Sequence, residues 1–208
     1  MKTRPRVLLL EPDPELRDLF ARFLERQRMH AAAPGDEDEA RSLLARETFD
    51  LLWSDCSTAA TDHAMIQLAR AADSELPVLC LTTQLTPLSL QHYLSAGAHL
   101  VLRKPVGFAL LGHVCRGLLR STPVATRPVS SGSLRRLDEM MQGYGQTARP
   151  ELAQGLGRLA GQWGLMRLAE AASAAALSQG PLEEPQLRGW LQRELGRVWS
   201  DPNLHPEA

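Results

Sequence analysis

Residues 6–14 read RVLLLEPDP, and this stretch decides the architecture. The apolar run 7–10 is bounded by Pro5 on one side and by Glu11-Pro12-Asp13-Pro14 on the other. That is a short buried strand running into a turn. Asp13 suits a helix N-cap and Pro14 a first helical residue. The helix they open carries Leu16, Leu19, Phe20, Phe23 and Leu24 on one face, at the 3.6-residue spacing. Strand, turn and amphipathic helix make one β–α unit, and the unit recurs. Residues 29–33 read as a second strand and 37–46 as a helix with Ala40, Leu43 and Leu44 inward. Leu51-Leu52-Trp53 is a third strand ending at Ser54-Asp55, followed by a helix over 64–72. A fourth strand over 77–81 ends at Thr82-Thr83, and Thr86 then caps a helix that stops at Gly97. A fifth strand over 99–102 ends at Arg103-Lys104-Pro105, before a helix over 107–119.

Strands that are continuous apolar runs are buried on both faces. The sheet is therefore expected to be parallel, with helices on both sides. The fold class is α/β: a (βα)5 doubly wound parallel sheet followed by a small all-α helical bundle. Residues 121–133, STPVATRPVSSGS, have linker composition. Beyond them every apolar pattern is helical. The expected division is 1–120 for the α/β domain, 121–133 for the linker, 134–200 for the helical bundle and 201–208 for a tail. Gly180-Pro181 is a stop signal, and Pro185 opens a last helix with Leu187, Trp190, Leu191, Leu195, Val198 and Trp199 on one side. That face is either the bundle core or a protein interface.

Composition narrows the function classes. Of 208 residues, 44% are apolar and 23% charged, which is ordinary globular composition. Residues 1–121 carry 14 basic and 15 acidic side chains, and residues 122–208 carry 9 and 9. Nucleic-acid binding, which draws on a basic excess, is disfavoured. No apolar run approaches membrane-spanning length, and the apolar start is too short for a secretory signal. Cys56, Cys80 and Cys115 lie far apart without metal-ligand spacing, as expected of buried thiols in a reducing cytoplasm. Only Lys2 and Lys104 are lysines against 21 arginines, so Lys104 stands out.

In doubly wound sheets, ligands bind beyond the carboxyl ends of the strands. That places Glu11–Asp13, Asp55, Thr82 and Lys104 at one edge. Clustered carboxylates favour a hard divalent cation such as Mg²⁺, with Glu11, Asp13 and Asp55 as candidate ligands. A carboxylate nucleophile, a cation, a hydroxyl and an ammonium are what an acyl-phosphate requires.

On the segments VLLLEPDPELRDLF, FDLLWSD, LPVLCLTT and GAHLVLRKP, residues 5–120 resemble the receiver domain of bacterial two-component response regulators. The resemblance implies a flavodoxin-like fold, Asp55 as phosphoacceptor, Thr82 as switch hydroxyl, Lys104 as phosphate-binding lysine, and a cis bond before Pro105. It implies Mg²⁺ as cofactor and a histidine kinase or phosphotransfer protein as partner. The chain departs from the pattern in three places. The second acidic position is Pro12, the position after the switch hydroxyl is Thr83, and the position of a rotating aromatic is Val101. These departures point to an atypical receiver that signals by docking.

The helical part resembles, weakly, a histidine-phosphotransfer bundle over AQGLGRLAGQWGLMRLAEAA. The position of the phosphorylated histidine is Gln154, and no His occurs between His113 and His205, so the relay chemistry is excluded by residue type. A protein-interaction module, homodimerisation included, is expected over 134–200, with a DNA-binding output as the alternative. An enzyme is not expected. Glu11-Pro12-Asp13-Pro14 would repel a flavin phosphate, and Glu11-x-Asp13 lacks the first Asp of a haloacid-type phosphatase. Cys56, His63, His92 and His113 have no ligand spacing and read as packing or surface residues.

Overall fold

The computed structural model describes residues 4–56, 59–119, 131–147, 150–162, 165–178 and 183–200. Residues 121–130 of the expected linker, Gly180-Pro181 and the tail lie outside them. The chain forms two compact units, 1–106 and 107–208.

The first unit contains β1 (Arg6–Leu10), α1 (Pro14–Arg26), β2 (His30–Ala32), α2 (Glu37–Arg46), β3 (Leu51–Asp55), α3 (Ala59–Ala72), β4 (Val78–Thr82), α4 (Pro87–Ala96) and β5 (Leu100–Arg103). The strands run parallel in the order β2-β1-β3-β4-β5. This is the doubly wound sheet that the apolar runs predict. β3 and β4 are buried along their whole lengths, which is why they read as unbroken apolar segments. β3 runs on through Ser54 and Asp55, because both pair with β4 and are buried. α3 begins at Ala59, not 64; residues 59–63, AATDH, contain no helix breaker.

Side chains alternate across a strand. Trp53 packs on Phe20 and Phe23 of α1, with ring centroids 5.0 and 6.3 Å away. Ser54 therefore faces the other side of the sheet, toward α2 and α3. Leu16 and Leu19 of the predicted α1 face stay 37% and 40% exposed, so that face is only partly covered.

The caps are those the sequence predicts. Asp13 Oδ1 accepts from the N–H groups of Glu15 and Leu16 at 2.9 and 3.0 Å. Thr86 and Ser89 form a capping box on α4. α4 ends at Gly97, whose φ of 113° is left-handed. Arg70 of α3 donates from Nε and Nη2 to the Gly97 carbonyl at 3.1 and 2.6 Å, and a Cβ on Gly97 would lie 2.8 Å from Arg70 Nε. Gly97→Ala is expected to cost about 1–2 kcal/mol from the left-handed backbone alone. Urea denaturation measures it; an unchanged midpoint would show that the turn relaxes freely.

The second unit contains α5 (Phe108–Leu118), α6 (Ser131–Thr147), α7 (Pro150–Gln162), α8 (Met166–Ala176) and α9 (Glu183–Ser200). The linker composition places a boundary after residue 120, whereas the compact units divide after Val106. α5 groups with the later helices for two reasons. Its Gly117 leaves room for Trp190, whose ring would lie 2.4 Å from a Cβ there. Its His113 and Arg116 bind the buried Glu170 of α8, at 2.6 and 3.0 Å. α8 packs against α5, α7 and α9. Its alanines permit close approach: a Cβ at Gly157 of α7 would sit 3.3 Å from the Ala169 carbonyl. α9 begins at Glu183, ahead of Pro185. A proline is tolerated in the first turn, where N–H groups have no helical partner. Leu187, Trp190, Leu191, Leu195 and Val198 are buried, and Trp199's side chain lies outside the described residues.

Candidate functional site

Four strand ends supply the site. β1 delivers Glu11, β3 Asp55, β4 Thr82 and β5 the segment leading to Lys104. The Lys104-Pro105 bond is cis, and the Lys104 N–H donates to the Thr82 carbonyl at 2.8 Å. That hydrogen bond holds the lysine backbone against β4. The ammonium reaches two carboxylates: Lys104 Nζ lies 2.8 Å from Asp55 Oδ1 and 3.0 Å from Glu11 Oε2. The side chains of Glu11, Asp55 and Lys104 are 3%, 8% and 16% exposed. The Glu11 contact is a directed hydrogen bond. The Asp55 contact is a buried ion pair at charge-assisted hydrogen-bond distance.

The electrostatics follow from this geometry. Burial holds the Glu11 carboxyl above its usual value and the Asp55 charge adds to that, while Lys104 and the Asp13 N–H pull it back in part. Burial alone would lower the Lys104 pKa, but Asp55 and Glu11 together outweigh it and hold the ammonium above its usual value. Lys104 is thus a permanent cation shared by two buried acids.

Glu11, Asp55, Thr82 and Lys104 all lie at the strand ends, where the sequence places them. Asp13 does not join them. It is exposed, and its Oδ1 is committed to the first turn of α1. The carboxylate expected as a third metal ligand is therefore a helix cap. Thr82 is buried, with Oγ1 accepting from the Gln84 N–H at 3.2 Å. Thr83 is exposed and Val101 fully buried.

Mg²⁺ takes oxygen ligands, typically one or two carboxylates plus waters and phosphate. Among the described residues two carboxylates converge and share an ammonium, the second acidic position is Pro12, and Asp13 caps α1. Among the described residues, no three His, Cys, Asp or Glu side chains are grouped to hold a metal. Glu11 and Asp55 are thus the carboxylates that could join waters and a phosphate around a divalent ion, while Asp13, the third expected ligand, is not brought to them.

Two residues near the site escape sequence reasoning. Arg17 donates from Nη1 to the Glu11 and Pro12 carbonyls at 3.0 and 3.3 Å, fastening the turn after β1. The buried Tyr93 of α4 donates to the Cys56 carbonyl at 3.4 Å. Cys56, Cys80 and Cys115 are buried free thiols, and burial pushes Cys115 up to about 12. No helix among the described residues is long and apolar enough to cross a membrane.

The comparisons with known proteins agree with this frame. A Pseudomonas aeruginosa protein described as response regulator protein PilR is 29% identical over 119 residues, 57% of this chain. The chain spans about a quarter of that relative, 27% of its length. HP1043, described as an orphan response regulator of H. pylori, superposes with a TM-score of 0.52 at 20% identity, covering 58% of this chain and all of that one. The chemotaxis response regulator CheY4 of Vibrio cholerae gives 0.52 at 23% identity, covering 56% and 99%. These likenesses show the fold. The family model for the response regulator receiver domain matches residues 7–115, just over half of the chain. With its parallel five-stranded sheet and its strand-end acids and lysine, the chain belongs to the response regulator receiver domain family.

Proposed function

We propose that this protein is a two-component signalling protein with an atypical receiver, which works chiefly by docking and sends its output through protein binding by residues 134–200. The observation that carries this reading is the Lys104 bridge. Its ammonium is shared by Glu11 and Asp55 and offsets one of their two charges, while Asp13 is spent on capping. A receiver built this way holds its acidic edge in one charge state without a bound ion. Its upstream partner is a histidine kinase or phosphotransfer protein. Its downstream partner is another signalling protein or a second copy of the chain. The balanced charge of residues 122–208, 9 basic and 9 acidic, supports a protein partner over a nucleic acid. Multiple-turnover catalysis is not part of this reading. At most, the Asp55 carboxylate attacks a phosphodonor, forming one O–P bond as the donor's leaving group departs. A carboxylate paired to an ammonium at 2.8 Å is a weakened nucleophile for that step.

Incubation with acetyl phosphate across a Mg²⁺ series, read by intact mass, tests the proposal. Labelling is expected to be slow and partial, and to need millimolar Mg²⁺. Rapid stoichiometric labelling at micromolar Mg²⁺, lost in Asp55→Asn, would overturn it. Labelling that survives in Asp55→Asn would show that another residue is the acceptor.

A further inference from the structure

His99 stands just before β5, beside Val78, the first residue of β4. The two residues exchange hydrogen bonds. The His99 N–H donates to the Val78 carbonyl at 2.8 Å, and the Val78 N–H donates to His99 Nδ1 at 3.0 Å. The imidazole thus serves as the acceptor at the end of the β4–β5 ladder. The same nitrogen lies 2.8 Å from Nη2 of Arg70, on α3. Arg70 spreads its other donors over the joint. Nε and Nη2 reach the Gly97 carbonyl at 3.1 and 2.6 Å, and Nη1 reaches the Ser74 carbonyl at 2.7 Å. One ring nitrogen and one guanidinium therefore tie together the end of α3, the start of β4 and the turn from α4 into β5.

These donors fix the protonation of the ring. A backbone N–H and a guanidinium only donate. Nδ1 accepts from them only while it carries no proton, so the ring is neutral, with its hydrogen on Nε2. Arg70 is the cation that faces the ring among the described residues. Burial lowers its pKa, and Glu75 and Asp73, on the connection from α3 to β4, offset part of that. An arginine nevertheless stays charged in water at any physiological pH. A proton on Nδ1 would set a donor against two donors, one of them a positive charge 2.8 Å away. Val78 is fully buried while His99 is exposed, so solvent protons reach the ring.

We propose that His99 is an acid-sensitive latch: a proton on Nδ1 breaks its bonds to the Val78 N–H and to Arg70 and loosens the joint among α3, β4 and the α4–β5 turn. The sign follows from the geometry. The folded chain holds the ring neutral, whereas a histidine in the unfolded chain takes up its proton at about pH 6.5. The latch is closed above that pH, and its contribution is lost as pH falls below it. The device is separate from the signalling reading, because Val78 and His99 lie at the opposite ends of β4 and β5 from Thr82 and Lys104.

Amide hydrogen exchange of the full chain at pH 7.5 and 5.0 tests this, with protection expressed relative to the unstructured rate at each pH. Protection of the Val78 amide should fall about fivefold or more at pH 5.0. His99→Asn is the comparison, because its Oδ1 can stand where Nδ1 does and does not titrate. Its Val78 protection should stay within about twofold between the two pH values. An equal loss in both proteins would assign the effect to general acid destabilisation and overturn the proposal. No loss in the native chain would overturn it too. The native ring supplies a second test that needs no variant, and it decides alone if His99→Asn leaves Val78 unprotected at both pH values. Its ¹⁵N spectrum at pH 7.5 should show Nδ1 bare and Nε2 protonated. A proton on Nδ1 at pH 7.5, or a doubly protonated ring at pH 5.0 with Val78 still fully protected, would refute the latch.

Discussion

Lys104→Met should cost the first unit about 3 kcal/mol at pH 7.5, because removing one partner of a buried ion pair costs about 3–5 kcal/mol and this site opens on a cleft at one side. The variant leaves Glu11 and Asp55, 3% and 8% exposed, facing each other with no cation. Methionine keeps the length and apolar stem of the lysine, so the loss reports charge and not packing. The pH dependence has a definite sign. In the native chain the Lys104 pKa lies above its ordinary 10.5. Its contribution is thus fully present below about pH 10.5 and disappears as pH rises through the higher folded value. Glu11 already sits above its ordinary 4.5, first through burial and then through the Asp55 charge. Without Lys104 it rises further, so folding of the variant takes up a proton. The deficit should therefore be largest at neutral pH and shrink as pH falls toward 4.5. Hydrogen exchange of the β1 and β3 amides isolates this unit from the helical one. A deficit of equal size at both pH values would show that the bridge is not electrostatic. A deficit below about 1 kcal/mol, the range of exposed pairs, would show that water screens it.

Most of the first unit was legible because its signals are local. RVLLL, LLWSD and VLCLT are strands on apolar content alone, and Asp13, Thr86 and Gly97 act as the caps their chemistry suggests. The rule that ligands gather beyond the strand ends brought Glu11, Asp55, Thr82 and Lys104 together without any homologue. What failed to show in the sequence depends on how separate elements meet. Asp13 can bind a metal or cap a helix, and only geometry shows that its Oδ1 is used up by Glu15 and Leu16. α5 reads as the fifth helix of an alternating pattern. Its grouping with α8 follows from His113, Arg116 and Gly117 meeting partners more than fifty residues away. An ion pair of that sequence separation leaves no periodic trace.

Truncation after Glu183 should unfold the whole helical unit, with loss of the helical signal of residues 134–180 and of α5. The deletion removes Leu187, Trp190, Leu191, Leu195 and Val198, all between 0% and 5% exposed. Burying one large apolar side chain is worth about 1.5–3 kcal/mol, so five sum to roughly 7–15 kcal/mol as an upper bound. Total stability of a domain is about 5–15 kcal/mol. The loss matches everything available, and no partial unfolding of α9 alone absorbs it. Polar consequences add to the loss. Glu194 is 2% exposed and pairs with Arg167 at 2.7 Å, so the truncation takes this carboxylate from a guanidinium that is 16% exposed. Trp190 fills the space over Gly117, and its removal leaves a cavity against α5. These contacts make the apolar side of α9 part of the core, so an interface must use other surfaces of residues 134–200. Circular dichroism and hydrogen exchange decide the matter. If α6, α7 and α8 keep their ellipticity and their amides stay protected, α9 is a detachable docking helix and its buried face awaits a partner. If protection is lost together across α5 to α8, the five helices fold as one unit. Residues 107–119, which the family pattern counts with the receiver, then depend on the last helix of the chain.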